Sequence, residues 1–453
     1  MFKKTQKRDP YRLTVAKQIG WSGRAVSLAS NVTVLTYVTF YCTNILGMDP
    51  VLVGTLLLAS KVFDGITDLV AGVIIDRTKT RWGKARPYEF AIIGVWLTTV
   101  LLFSCPELGT VGMAIWIFVM YSFVNAIFST LLNSSEAVYL CRAFKYEEDR
   151  SKLISVNGLL VTLFCTVVSI VFPTLMATLG TTRGGWTTMM LIIGIPLTVI
   201  GLGRFLLVKE VNVDVQSENR PGLKEVLPAL KTKYVWILCG ITILVNLITN
   251  TGNAVGSYYF QYVVGDLGML GTVGILGLIS PFALLVMPKL LQKMSITRLF
   301  FWSFIVGIVG NVIKGIAGAN LALIMAGNLL TTLAALPPSY FTLMLIIDVM
   351  DYHEWKTGSR VEGVIAAING FSSKVAAGLA SGGVGLIMGL CGFDGTAEMI
   401  SSASMTSIIA LYSWIPLALY VVLLVLVHFF DLEKNLPQIR KELAERHADK
   451  SNG

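Results

Sequence analysis

Residues 50–88 read PVLVGTLLLASKVFDGITDLVAGVIIDRTKTRWGKARPY. The stretch from 50 to 75 is almost wholly apolar and long enough to cross a bilayer, because about 20 residues at 1.5 Å each cover a hydrocarbon core of about 30 Å. It ends in a run of cations, Arg77, Lys79, Arg81, Lys84 and Arg86. A helix that is apolar along its length and basic at one end reads as a membrane span with its cationic end on the inner side. Three charges nevertheless lie inside the apolar run, Lys61, Asp64 and Asp68. Separations of three and four residues put them on one helical face.

The same pattern recurs along the chain. Apolar helices are expected at 19–46, 50–75, 88–105, 109–136, 153–179 and 187–208, then at 234–263, 267–288, 298–318, 320–349, 362–390 and 402–430. The expectation is therefore an all-α integral membrane protein of twelve spans. Composition agrees: 54% of the 453 residues are hydrophobic and 14% charged, and mean hydropathy is +0.71, beyond the apolar share of a soluble domain. The runs are long and do not alternate, so helices rather than a barrel must satisfy the backbone in lipid.

The net charge of +9 reports orientation rather than a nucleic-acid partner. Basic residues sit on alternate connectors: the loop after the second span, then Arg142, Lys145, Arg150 and Lys152 after the fourth. The connectors GMDP (47–50), PELGT (106–110) and CGFDGTAE (391–398) carry no Lys or Arg, and Arg183 is the exception. By the positive-inside rule both termini, with Lys3, Lys4, Lys7 and Arg8 at one end and the mixed tail from Glu433 at the other, are expected in the cytoplasm of a multi-pass cell-membrane protein. The basic first 17 residues lead into a helix too long for a cleavable signal. Six cysteines (Cys42, Cys105, Cys141, Cys165, Cys239, Cys391) show no metal-ligand or CxxC spacing and read as packing residues, with a Cys105–Cys391 bridge as the remote alternative.

The longest polar connector separates six spans from six. It divides the chain into an N-terminal half (1–208), a linker (209–233), a C-terminal half (234–430) and a tail (431–453). Two six-helix halves related by a parallel repeat are the layout of transporters that hold their solute between the halves. Pro221–Lys233, with Leu223, Val226, Leu227 and Leu230 on one side, reads equally as a helix on the inner membrane surface or as a plain linker.

Ionisable groups inside spans cost roughly 2.5–3.5 kcal/mol each and usually face a cavity or a partner. Besides the stripe on the second span there are Arg24 on the first and Lys374 on the eleventh. These cations are candidate partners for the two carboxylates. One reading is a static salt-bridge network. The other is a site for a monovalent cation or proton at Asp64 and Asp68, with Thr67 and Ser122 as oxygen donors and Lys374, Lys61 and Arg24 as charge partners. Na+ and H+ are both compatible with such a pair, and no cofactor is expected. Asn246, Asn250 and Asn253 form an amide stripe on the seventh span. Such a stripe suits sugar hydroxyls and equally glues helices together. Asn31, Asn125, Asn157, Asn328 and Asn369 are further amides within spans, and Trp21, Tyr121, Tyr259 and Trp414 offer rings for stacking on a sugar. Pro337 and Pro338 are expected to interrupt the tenth span. His353, His428 and His447 have no metal-ligand spacing, and no nucleophile–base pair or phosphate-cradling glycine motif lies in a span, which argues against an enzyme.

The run DGITDLVAGVIIDRTKTRWGKARPY (64–88) strongly resembles the second helix and following loop of the glycoside/pentoside/hexuronide:cation symporters, the melibiose permease group of the major facilitator superfamily. DVMDYHEWKTGSRVEG (348–363), followed by FSSK ending at Lys374, is similar to that family's motif between its tenth and eleventh helices. The resemblance implies symport of a glycoside or hexuronide with a cation, by alternating access in a monomer. It also implies that Asp64 and Asp68 ligate the cation and that Lys374 links cation to sugar. Thr67 stands where melibiose permease has Asn, and Ser122 where it has Thr. The sugar-binding acids of that permease are missing: Leu28 and Asn125 occupy or lie nearest their positions, Ser129 replaces the neighbouring aromatic, and Asn157 or Gly158 falls near the family's arginine. Arg24 follows Gly23 where relatives often read Gly-Asp. The expected substrate contacts are Asn125, Asn31, Asn157, Asn250, Asn253 and Trp414. An exposed Arg24 would favour an anionic solute, whereas Arg24 paired with Asp64 or Asp68 would leave the pocket neutral.

Overall fold

The computed structural model describes residues 12–78, 80–210, 232–357, 362–397 and 399–452. The N-terminal cations up to Arg8, Lys79, Arg360 and the candidate surface helix as far as residue 231 lie outside the described residues. Among the described residues the structure is helical, with one isolated bridge at Thr80 and Gly83. It divides into two compact units, Met1–Met48 with Leu56–Glu218, and Asp49–Thr55 with Asn219–Gly453.

In the first unit the helices are α1 (Val15–Leu35), α2 (Pro50–Arg77, from Leu56 onward), α3 (Ala91–Leu102), α4 (Gly109–Ser122), α5 (Thr130–Ala143), α6 (Glu147–Leu179) and α7 (Arg183–Leu207). The second holds α8 (Lys233–Tyr258), α9 (Leu270–Ile275), α10 (Ile279–Leu291), α11 (Ile296–Ala317), α12 (Leu321–Thr357), α13 (Glu362–Leu390), α14 (Ser402–Ile409), α15 (Ile415–His428) and α16 (Leu436–Asn452). Hydroxyl caps mark several starts: Thr14 accepts from Lys17 N, Thr182 from Gly185 N and Ser295 from Arg298 N.

Ten helices among the described residues are long and apolar enough to cross a membrane. The two remaining expected spans are the broken ones. Only α3, 12 residues long, is regular α-helix in the third, and the eighth is split into α9 and α10 by a 3-10 turn at Leu276–Leu278. The architecture is consistent with twelve spans. Conversely, α12 runs unbroken through Pro337 and Pro338 for 37 residues, contrary to the expected interruption. Proline withdraws one donor but leaves the helical φ intact, and nearby carbonyls gain side-chain donors, Ser339 Oγ to Ala335 O (2.7 Å) and Thr342 Oγ1 to Pro338 O (2.5 Å). All six cysteines are free thiols.

Each unit carries the same internal ties, which makes the repeat visible where sequence similarity is weak. The first span of each ends in a π-turn, Tyr41–Ile45 and Tyr259–Val264, beginning at the same distance from the helix start. Each leading tyrosine reaches the backbone just past the third span: Tyr41 Oη accepts from Cys105 N at 3.2 Å, and Tyr259 Oη donates to Gly318 O at 2.8 Å. Beyond each sixth span a glutamate seats on amides at the start of the third. Glu210 accepts from the N–H groups of Lys84 (3.0 Å), Ala85 (2.7 Å) and Arg86 (2.7 Å). Glu433 accepts from those of Ile296 (2.9 Å) and Thr297 (3.1 Å). Unsatisfied N–H groups at a helix start favour a carboxylate.

Candidate cation site

The site lies in the first unit, where α2 faces the fourth span. Asp64 is buried at 4% exposure, and Asp68, one turn on, is half-buried. The fourth span is not one regular helix. Between α4 and α5 it passes through a π-turn, Phe123–Ser129, closed by the backbone N–H of Thr130 on Asn125 O. At about 100° per residue, positions five apart on an α-helix stand about 140° apart. A π-turn closes one residue later and stacks them. Thr130 is thereby brought onto the face of Asn125, toward α2.

Thr130 Oγ1 lies 2.9 Å from Asp64 Oδ1, 3.1 Å from Asp68 Oδ1 and 3.1 Å from Asn125 O. One hydroxyl hydrogen thus faces three acceptors, two of them carboxylate oxygens. A hydroxyl donates once, so the two carboxylates and the carbonyl share one hydrogen from Thr130 and converge on its oxygen.

The two hydroxyls expected at this site are engaged elsewhere. Thr67 Oγ1 donates to its own helix at Asp64 O (3.0 Å), and Ser122 Oγ donates to Ser60 Oγ (2.9 Å). Lys61 Nζ donates to Asn125 Oδ1 (2.8 Å) and sits 5.5 Å from the centre of the Tyr121 ring. Asn125 is filled at its other end as well, since its Nδ2 donates to Tyr121 O (3.0 Å).

Arg24 belongs to a separate cluster. It donates to Leu132 O (2.8 Å) and to the Glu136 carboxylate, and its Nε is 3.4 Å from Glu89. Arg204 completes the group, 2.7 Å from Glu136 and 3.6 Å from Glu89, with its guanidinium 3.8 Å above the Trp21 ring. Two arginines therefore face two glutamates, and Arg24, 3% exposed, has found acids other than the aspartates considered for it. The premise of an exposed cation on the first span is corrected here. Gly23 permits the arrangement, because a Cβ there would stand 2.6 Å from Ile200 O, where α1 approaches α7.

The other expected residues disperse. Asn31 is buried and donates to Thr99 Oγ1 (2.8 Å), tying α1 to α3. Asn157 is half-buried with an unpartnered Oδ1. In the second unit, Asn250 and Asn246 donate back to their own helix, to Asn246 O (2.7 Å) and Thr242 O (2.8 Å). Asn253 is exposed, Trp414 is 44% exposed, and Lys374 is half-buried on α13.

A repeated pair of helical units, mostly of membrane-spanning length, defines a polytopic membrane transporter of the major facilitator fold. A model of the MFS/sugar transport protein family matches residues 21–434, and the chain belongs to that family: a transporter, not an enzyme. It is 28% identical over 435 residues to an isoprimeverose transporter of Lactiplantibacillus pentosus, covering 92% of this chain and 88% of the relative. It is 25% identical to a putative glycoside/cation symporter, YagG, of Escherichia coli (strain K12), covering 96% of each. Among solved structures, a bacterial homologue of the lysosomal transporter Spinster, captured inward-facing and unoccupied, superposes with a TM-score of 0.70 at 11% identity, covering 95% of this chain and 98% of the other. That likeness speaks to the fold alone.

Proposed function

We propose that the chain is a cation-coupled glycoside symporter working by alternating access in a cell membrane, with both termini cytoplasmic. The observation that carries the coupling is the convergence of Asp64, Asp68 and Asn125 O on the single hydroxyl of Thr130. Two carboxylates plus neutral oxygens match a hard monovalent cation such as Na+, or a proton shared by the pair. The names of the relatives support a sugar-type solute. Asn157, Asn253 and Trp414, with unfilled polar capacity or an exposed ring, are the contacts we assign to it, and Lys374 is assigned to coupling. Because Arg24 is neutralised in its own cluster, the solute is a neutral glycoside rather than a hexuronide.

Uptake into proteoliposomes with and without a Na+ or H+ gradient tests the reading. Concentrative uptake is expected only with a gradient, and it is abolished in Asp64→Asn and Asp68→Asn although both variants remain in the membrane. Coupled uptake unchanged in both variants removes the cation assignment, and uptake that never exceeds equilibrium points to an uncoupled carrier. In competition, a glucoside should displace the solute better than the matched glucuronide. The reverse order overturns the neutral assignment.

A further inference from the structure

We propose that Thr130, rather than Thr67 or Ser122, supplies the hydroxyl oxygen that ligates the coupling cation; the proposal rests on the cation reading of Asp64 and Asp68. Three hydroxyls are candidates for this ligand, and the structure separates them by what each oxygen faces. Thr67 Oγ1 is closed on the carbonyl of Asp64, and Ser122 Oγ on the hydroxyl of Ser60. Thr130 Oγ1 alone of the three meets both carboxylates, at 2.9 and 3.1 Å. Threonine in a membrane helix often bonds back to a carbonyl of its own turn, and Thr130 does so toward Asn125 O at 3.1 Å. Such a back-bond needs neither aspartate, and its acceptor is five residues earlier because of the π-turn. The turn is a costly departure from the α-helix and is characteristic of functional positions. Its effect here is to place one neutral oxygen between two anionic ones.

This assignment has a chemical consequence. A cation held by Asp64 Oδ1, Asp68 Oδ1, Thr130 Oγ1 and Asn125 O draws its ligands from two spans. Removing the hydroxyl takes away the neutral oxygen that both carboxylates share. The loss falls most heavily on Na+ and Li+, which take several oxygens, and the fourth span keeps only Asn125 O as its link to the cation.

The test is direct binding to purified full-length protein, by isothermal titration calorimetry of NaCl and of LiCl, with cation-dependent thermal stabilisation as a second readout. Thr130→Val is nearly isosteric and lacks the hydroxyl, and a loss of about tenfold or more in cation affinity is expected. Thr130→Ser should restore binding to within a few-fold of the native protein, which separates ligation from a packing defect. Ser122→Ala should lose less than Thr130→Val. Native affinity in Thr130→Val together with lost binding in Asp64→Asn overturns the role of Thr130 and keeps the carboxylate site. Native affinity in both variants overturns the cation reading itself. A larger loss in Ser122→Ala than in Thr130→Val, or a native protein that binds neither Na+ nor Li+, also overturns the proposal.

Discussion

The carboxylate of Glu210 accepts the backbone N–H of Ala85 at 2.7 Å across 125 positions of chain, and takes those of Lys84 and Arg86 as well. Its side chain is 3% exposed and 3.7 Å from Arg142. Gly83, at φ +120, completes the seat, since a Cβ there would stand 2.5 Å from the Glu210 carboxyl carbon. Charge-assisted bonds of this kind contribute about 1.5–3 kcal/mol each and are not additive. Glu210→Ala is expected to cost about 2–4 kcal/mol, and Gly83→Ala a similar amount through clash and backbone strain. Thermal unfolding in detergent reads both, and Gly83→Ala combined with Glu210→Ala should lose less than the two separate effects added.

Arg24 and Glu136 give a sharper contrast. Arg24→Met strands Glu89, 0% exposed, with only Arg204 at 3.6 Å. Breaking one member of a buried charge group typically costs about 3–5 kcal/mol. The double variant Arg24→Met, Glu136→Met restores charge balance and should melt higher than Arg24→Met alone. If the single variant is as stable as native, the cluster contributes no stability.

Lys314 is buried on α11 at 6% exposure, with its Nζ 4.7 Å from the centre of the Tyr412 ring and no ion pair among the described residues. A ring face is worth about 2 kcal/mol or more to a desolvated ammonium. Tyr412→Leu should therefore destabilise the protein strongly in the presence of Lys314 and much less in a Lys314→Met background. A double-mutant cycle measures that coupling.

Near the C-terminus, Trp355 Nε1 donates to Glu442 at 2.5 Å, and Arg440 pairs with Asp348 (3.0 Å) and Asp351 (2.9 Å), laying α16 against the end of α12. The Trp355 bond, then that from Gln438, holds the Glu442 carboxyl below the ordinary glutamate value of 4.5. A folded-state pKa below the unfolded one means the docking contribution is present above the ordinary value and is lost as pH falls through the lowered one. Trp355 fluorescence should change in that acidic window, and Glu442→Gln should remove the transition.

The spans were legible because apolar length is a one-dimensional signal. Asp64 and Asp68 were legible because their spacing works on any α-helix. Thr130 was not: the inference from 3.6-residue periodicity fails across a π-turn, and nothing in FVNAIFS announces one. The partners of Arg24 were hidden for another reason. Glu89 and Glu136 fall at the edges of the expected spans, where a hydropathy scan treats an acid as loop, although Glu89 is fully buried. The third and eighth spans were read as continuous helices because hydropathy does not register the 3-10 turns that shorten them.

The paired glutamates bear on how the molecule is put together. Glu210 stands at the start of the connector between the halves, and Glu433 follows the last span. Each six-span piece therefore carries, within its own stretch of chain, the residue that fastens its end to its interior. A gene cut between codons 211 and 231 should yield two polypeptides that fold independently and reassemble when co-expressed, and Glu433→Ala should disable only the second of them.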